Sequence, residues 1–234
     1  MSIDSQPETS VPASTEAVRL RPEVATILAT EHWSLLGTRS MTWNEVMSRI
    51  TIHLTVLSAF LVVLALVAQA TGFGPPFQVL SIGFAATALI LGSLTSLRVN
   101  SATQEDVQLV RAMNRLRNAY VQLAPEITPF LTTSTHDDDA GHLHTLALGR
   151  QRHLPAIIIG STSFFLFVVN TLVAGTLGAL IADAAGASTA WTVVVGVAAA
   201  IVHVCVVVGL TWWFYGGPLE DVRFPSPAPR TGKG

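Results

Sequence analysis

The sequence predicts an all-α polytopic membrane protein: four transmembrane helices in two antiparallel hairpins, with amphipathic helices on the cytoplasmic side. Three observations predict it. Four apolar stretches lie near residues 50–71, 77–97, 156–181 and 190–215, and each is as long as the roughly 20 residues a helix needs to cross about 30 Å of hydrocarbon. Only 12% of the chain is charged, about half the usual share in a soluble domain. The two short connections, 72–76 and 182–189, hold none of the 13 Lys and Arg residues. Basic residues are retained on the cytoplasmic side during insertion, so this distribution puts both termini in the cytoplasm.

Residues 1–21 are polar and rich in Ser, Thr, Glu and Pro. They read as a disordered arm. They have no apolar core of a cleavable secretion signal, which makes the first apolar segment a permanent anchor. Residues 22–49 read as a cytoplasmic or interfacial helix and the lead-in to the first span. Pro22 suits its first position, and Val24, Ile27, Leu28 and Leu35 recur at helical spacing. Gly37 is expected to end it. Thr42 with Glu45 then forms a capping-box pattern, with Trp43 at the interface.

Residues 50–98 form the first hairpin, broken by Gly72-Phe73-Gly74-Pro75-Pro76. Residues 99–154 form a cytoplasmic helix and loop. Within 101–124, Leu109, Met113, Leu116, Tyr120 and Leu123 are spaced 4-3-4-3, an a/d seam that Pro125 ends. This helix either continues the second span as a stalk or starts afresh, capped by Ser101 and Gln104. Its seam is expected to pack on the Val24/Leu28 face. Residues 126–153 are expected to be loop.

Residues 155–215 form the second hairpin, opened by Pro155. Asp183 is the only charged residue assigned to the outer side. Ser188 and Thr189 are cap candidates for the last span. Trp212, Trp213, Phe214 and Tyr215 form a cytoplasmic aromatic belt, with Trp191 as the outer counterpart. Gly216-Gly217-Pro218 stops the helix, and 216–234 reads as a disordered cytoplasmic tail.

Function is bounded chiefly by what the spans exclude. None contains Asp, Glu, Lys or Arg. Ion-coupled carriers keep such groups in the membrane despite the cost, so a proton- or cation-coupled carrier is disfavoured. Asn170 and His203 lie near the middles of the third and fourth spans, at matching depth, and are expected to hydrogen-bond across the second hairpin. His53 lies about one turn below the cytoplasmic edge and is expected to face headgroups. Cys205 reads as a small packing residue, and a single cysteine forms no intramolecular disulfide. Ala88 with Gly92, Ala174 with Gly178, Gly175 with Ala179 and Gly196 with Ala200 are small-xxx-small pairs. They pack the bundle or, alternatively, a homo-oligomer.

One constellation resembles a metal site: His136, Asp137, Asp138, His142 and His144. Imidazole and carboxylate suit divalent metals, but no standard ligand spacing is present, and a solvated acidic loop with turns and caps is the competing reading. P-loop, G-x-S-x-G, paired-cysteine and D-x-x-D-G signatures are missing. The net charge of −2 gives no support for nucleic-acid binding.

The stretch Glu31-His32-Trp33-Ser34-Leu35-Leu36-Gly37-Thr38-Arg39-Ser40, with Trp43-Asn44-Glu45, resembles the segment before the first span in an uncharacterised family of four-span integral membrane proteins of GC-rich bacteria. The likeness extends over the N-terminal helix, the first hairpin and the His136-Asp137-Asp138 loop. It implies a multi-pass protein of the bacterial cytoplasmic membrane and brings no activity or site residues. An excess of Arg over Lys and abundant Ala and Val agree with a GC-rich source.

The leading reading is a non-enzymatic integral membrane protein with a cytoplasmic interaction surface that takes a protein partner through 101–124. It needs no cofactor. Its partners are the lipid bilayer, that protein and, through small-residue faces, a second copy. The alternative is an oligomeric channel or permease for a neutral or weakly polar solute, for which Ser81, Thr87, Ser93 and Thr95 are the only polar stripe. The third reading is a membrane-embedded metalloenzyme with its metal at the His136–His144 cluster.

Overall fold

Two of the helices run far beyond the apolar stretches that seed them. The computed structural model describes residues 22–148, 154–215 and 225–228. The expected disordered arm 1–21, His153, the Gly216-Gly217-Pro218 stop and most of the tail lie outside the described residues. The elements are α1 (Pro22–Thr71), α2 (Pro75–Leu123), a 3-10 turn (Pro125–Phe130), α3 (Asp139–Ala147), α4 (Leu154–Ile159), α5 (Thr162–Ala184) and α6 (Thr189–Tyr215), with no strand among the described residues. Helices α1, α2, α5 and α6 are long and apolar enough to cross a membrane.

Helices α1 and α2 run antiparallel for about 75 Å, at 1.5 Å per residue. The chain reverses at Gly72, whose φ of +67° is open to glycine without strain. Pro75 and Pro76 then occupy the first turn of α2, where a missing N–H costs nothing. From Leu28 to Phe60, the side of α1 that is at least partly buried recurs at Leu28, His32, Leu35, Arg39, Trp43, Val46, Ile50, His53, Leu57 and Phe60. That is a near-heptad seam running the length of both helices. Its partners on α2 include Tyr120 at one end, Asp106 in the middle, and Gly92 and Phe84 deeper; Phe60 and Phe84 stack at 4.2 Å.

This continuous seam explains two departures from expectation. Gly37 does not end a helix: it lies on the open side of α1, with nothing within 4 Å of a Cβ placed there. An interior glycine costs about 1 kcal/mol relative to alanine, too little to break a helix pinned on its other face. Thr42 and Glu45 are likewise interior, and Glu45 pairs with Arg49 at 2.9 Å and Arg98 at 3.0 Å instead of capping. Of the two readings for α2, the uninterrupted stalk is found. Ser101 donates back to Leu97 O at 3.2 Å, a helix-interior bond. In the α2 seam, Met113 is buried and Tyr120 half-buried, as the spacing predicts. Val110 and Asn114 are buried where Leu109 and Leu116 are only half-buried, and Ile27 is exposed.

Residues 126–153 are not all loop. The 3-10 turn opens on Pro125, and Asp138 caps α3 by accepting from Gly141 N at 2.8 Å. The third apolar stretch is interrupted as well: α4 stops at Gly160, and Ser161 Oγ caps α5 by accepting from Phe164 N at 3.1 Å. Glycine followed by an N-cap serine is a local stop-and-restart that the apolar run conceals.

Helices α5 and α6 meet through glycine and alanine. A Cβ on Gly178 would lie 2.5 Å from Ala199 Cβ and 3.2 Å from Val195 O; one on Gly196 would lie 3.0 Å from Gly175 O. The small residues of α5 and α6 are thus used inside the bundle. Helix α2 packs on α1 and on α5, and the apolar core lies where the three meet: Val46, Ile50, Val99, Ala102 and Leu166. At the end remote from the arginines, Gln78 Nε2 donates to Asp183 Oδ2 at 3.2 Å and ties α2 to α5.

Candidate functional site

Polar side chains gather in two places: a small neutral cluster within the apolar halves of the helices, and a charged network along their polar halves.

The neutral cluster is built around Gly92. A Cβ there would stand 2.0 Å from Asn170 Oδ1 and 3.0 Å from His53 Cε1, so only glycine lets α1 and α5 bring these side chains against α2. Asn170 and His53 are each 2% exposed. Asn170 Nδ2 donates to Ser96 Oγ at 3.0 Å. His53 therefore does not face headgroups; it sits on the α1 seam, turned inward, and neither ring nitrogen has a hydrogen-bond partner among the described residues.

The expected bond between Asn170 and His203 is not formed. His203 Nδ1 instead lies 3.2 Å from Thr171 Oγ1. Adjacent helical residues point about 100° apart, so Asn170 faces α2 while Thr171 faces α6. Depth matching places both residues at one level but does not fix azimuth. They do share a cavity of about 160 Å³ lined also by Ser93, Ser96, Phe167 and Val207. Its hydroxyl, amide and imidazole groups can hydrogen-bond an uncharged group. Among the described residues its lining has no carboxylate and no cationic side chain.

The charged network begins where the apolar halves of α1 and α2 end. Arg98 reaches Glu45 with two nitrogens, at 3.0 and 3.3 Å, and Glu105 with a third at 2.9 Å. Hydrogen bonds from Arg98 and Arg49 hold the Glu45 carboxyl below the usual range, and the bonds to Glu45 and then Glu105 hold Arg98 above its ordinary value. Farther out, Asp106 accepts from Arg39 Nε at 2.6 Å, Arg39 Nη2 at 3.2 Å and Trp43 Nε1 at 2.9 Å. Trp43 is thus a clamp between α1 and α2. At the far end Tyr120 donates its hydroxyl to Leu28 O at 2.9 Å and stacks on His32. Burial, then the nearby Arg117, pushes the His32 pKa down; burial pushes Tyr120 up.

The His-Asp segment is fastened to α2 by the same network. Asn114, fully buried, donates to His136 O at 2.8 Å and accepts from Arg117 Nη1 at 2.7 Å and Thr145 Oγ1 at 3.0 Å. Arg115 pairs with Asp137 and Arg111 with Asp139. A Cβ on Gly141 would lie 2.0 Å from His136 O, so this glycine lets α3 close on the loop. Nothing in the residue spacing singles out Asn114; only its two-turn distance from Asp106 hints at the same face.

Of the five metal-ligand candidates, Asp137 is committed to Arg115 and Asp138 to the α3 cap. His144 is exposed near the end of α3. His142 is half-buried, and burial, then Arg111, lowers its pKa. Among the described residues no three His, Cys, Asp or Glu side chains converge on a point where a metal ion would sit. The i, i+2 histidines lie on a helix, which turns them away from each other.

The tail returns to this segment. Ser226 N donates to Asp137 Oδ1 at 3.1 Å, Asp137 N to Ser226 O at 3.2 Å, and Ala228 N to Asp138 Oδ2 at 2.8 Å. Residues 225–228 are thus docked, where the sequence reading expects a disordered tail. The chain matches no protein-family model, and comparisons with curated proteins and with solved structures return no match.

Proposed function

We propose that the chain is a four-span protein of the bacterial cytoplasmic membrane, with two transmembrane hairpins and both termini in the cytoplasm. In this reading the polar half of α1 and α2 stands in the cytoplasm as a rigid platform for a protein partner. The observation that carries the platform is the open face of α1. Trp33 and Met41 are 75% and 74% exposed. They lie about two turns apart, on the side away from Arg39 and Trp43, with the unobstructed Gly37 between them. Trp33 stands about 24 Å beyond Arg49 along the helix, out of reach of hydrocarbon. A large aromatic and a methionine held open to water on a stiff support are the kind of residues that anchor protein interfaces. Along 101–123 of α2 the exposed residues, among them Thr103, Gln104, Gln108 and Gln122, are polar, so the open apolar anchors are those of α1.

The orientation draws on charge placement. Arg39, Arg49, Arg98, Arg111, Arg115 and Arg117 all lie on one side of the apolar stretches of α1 and α2, and Asp183 lies beyond the other side. Exposed Val193, Val197, Ile201 and Val202 on α6 suit a lipid-facing surface.

Reporter fusions test the topology: fusions at positions 74 and 186 are expected to report the outer side and one at 124 the cytoplasm. Cytoplasmic readout at 74 or 186, or a folded monomer without detergent, overturns it. A photo-crosslinker at Trp33 or Met41 in the full chain is expected to yield a protein adduct in cells that the same probe at Glu31 does not. Equal labelling at all three positions removes the platform.

A further inference from the structure

The seat of residues 225–228 is selective in a way the chemistry of the segment makes visible. Within Pro225-Ser226-Pro227-Ala228-Pro229 every other residue is proline, which has no N–H to give. The segment therefore offers two backbone donors, on Ser226 and Ala228, and both are taken by carboxylates, of Asp137 and Asp138. Donors two residues apart lie along one side of an extended chain. Asp137 also donates its own N–H to Ser226 O, so recognition runs in both directions.

The receiving side is prearranged. Asp137, fully buried beneath the seated segment, has Oδ2 held by Arg115, leaving Oδ1 for the segment. Asp138 has Oδ1 on the α3 cap and Oδ2 on Ala228. Arg115, Asn114 and Arg111 fix the loop to α2. Proline fixes φ in the free segment, so little chain freedom is lost on docking. A cavity of about 350 Å³ lined by Leu131, Thr135, His136, His144 and Ala228 remains beside the seated chain, room for a side chain larger than alanine.

We propose that loop 131–138 with α3 is a recognition site for extended segments in which proline alternates with N–H-bearing residues, and that residues 225–228 fill it in cis. A free segment of the same pattern competes with the tail for this seat. This deepens the reading of the polar half as an interaction surface and rests on it for its cellular meaning, though the docking itself does not depend on the membrane assignment.

The test uses the full chain in detergent or nanodiscs and a fluorescent peptide of residues 221–231. Ser226→Pro with Ala228→Pro in the chain removes both donors from the tail, vacates the site and leaves every helix untouched. The vacated chain is expected to bind the peptide at least about tenfold more tightly than the unaltered chain, whose own tail competes at an effective concentration of about millimolar. A peptide carrying the same two prolines is expected to bind neither. No binding to the vacated chain up to about 1 mM peptide, equal binding to both chains, or undiminished binding of the diproline peptide each overturns the proposal. Topology fusions and crosslinking at Trp33 are read on the same proteins, so peptide failure with those intact sinks this inference alone.

Discussion

The α5–α6 pair and the polar half of the α1–α2 pair solve the same problem with opposite means. Helices α5 and α6 touch through backbone: Gly175 and Gly196 face each other's carbonyls, and Gly178 faces Ala199. In the polar half of α1–α2 long side chains bridge the gap, with Arg39, Trp43 and Asp106 sharing one clamp. In lipid there is no hydrophobic force between helices, so close van der Waals approach must supply the attraction. In water a charged clamp is already solvated at its rim and adds register at modest cost. The first interface should therefore be intolerant of added volume and the second intolerant of lost charge.

The largest effect belongs to Gly178→Leu. Even its Cβ would stand 2.5 Å from Ala199 Cβ, so the helices must part or shift, at about 3 kcal/mol of stability. Thermal unfolding in detergent should show it, and an unchanged midpoint would mean that α5 and α6 do not approach as described. Next comes Asp106→Ala. It strands Arg39 and Trp43 without their acceptor at a half-buried site, for about 2 kcal/mol. Asp106→Asn should recover part of the loss, because an amide oxygen still accepts from one donor. If Asp106→Ala matches the unaltered chain, the clamp is decoration on a pair held by its apolar seam. The smallest mechanical change reverses sign: Gly37→Ala, with empty space around it, should stabilise α1 by about 1 kcal/mol. Set beside Gly178→Leu, it separates a glycine needed for approach from one that is not.

The contrast also explains what was legible in the sequence. The spans were legible because lipid demands long uncharged runs, and the small-residue pairs because 4-residue spacing marks one helix face. Helix ends within the polar half were not. Gly37, Thr42-Glu45 and Ser101-Gln104 all carry local stop or start signals, yet α1 and α2 pass through them because the seam of Arg39, Trp43, Val46 and Ile50 continues underneath. Tertiary packing on one face outweighs about 1 kcal/mol of local preference on the other. The Gly160-Ser161 break errs the other way: an apolar run hid a real stop. In the candidate site, residue type and depth pointed to Asn170 and His203 but not to their partners, because a pairing depends on azimuth set by three helices at once. His53 and Gly92 entered the cluster for the same reason. The docking of 225–228 on Asp137 and Asp138 joins segments about 90 residues apart, and no periodicity carries such a contact.

The finest effect expected is one of pH, confined to the outer end of the α1–α2 pair. His32 has its pKa lowered in the fold by burial, with Arg117 adding to it. A depressed pKa means that the fold favours neutral imidazole. The stability His32 contributes is therefore full above the unfolded value of 6.5 and is lost as pH falls through the folded value. Because His32 stacks on Tyr120, whose hydroxyl holds Leu28 O, acidification should loosen that end first. Hydrogen exchange near Leu28 and Tyr120, corrected for intrinsic rates, should stay level above pH 6.5 and speed up as the pH falls below it. Exchange near Val46 and Val99 should not. His142 is also held below its ordinary value, but it sits on α3, so its response falls on a different segment. His32→Phe keeps the stack and removes the proton. If exchange at the Leu28–Tyr120 end keeps its pH dependence in that variant, the outer clamp does not titrate through His32.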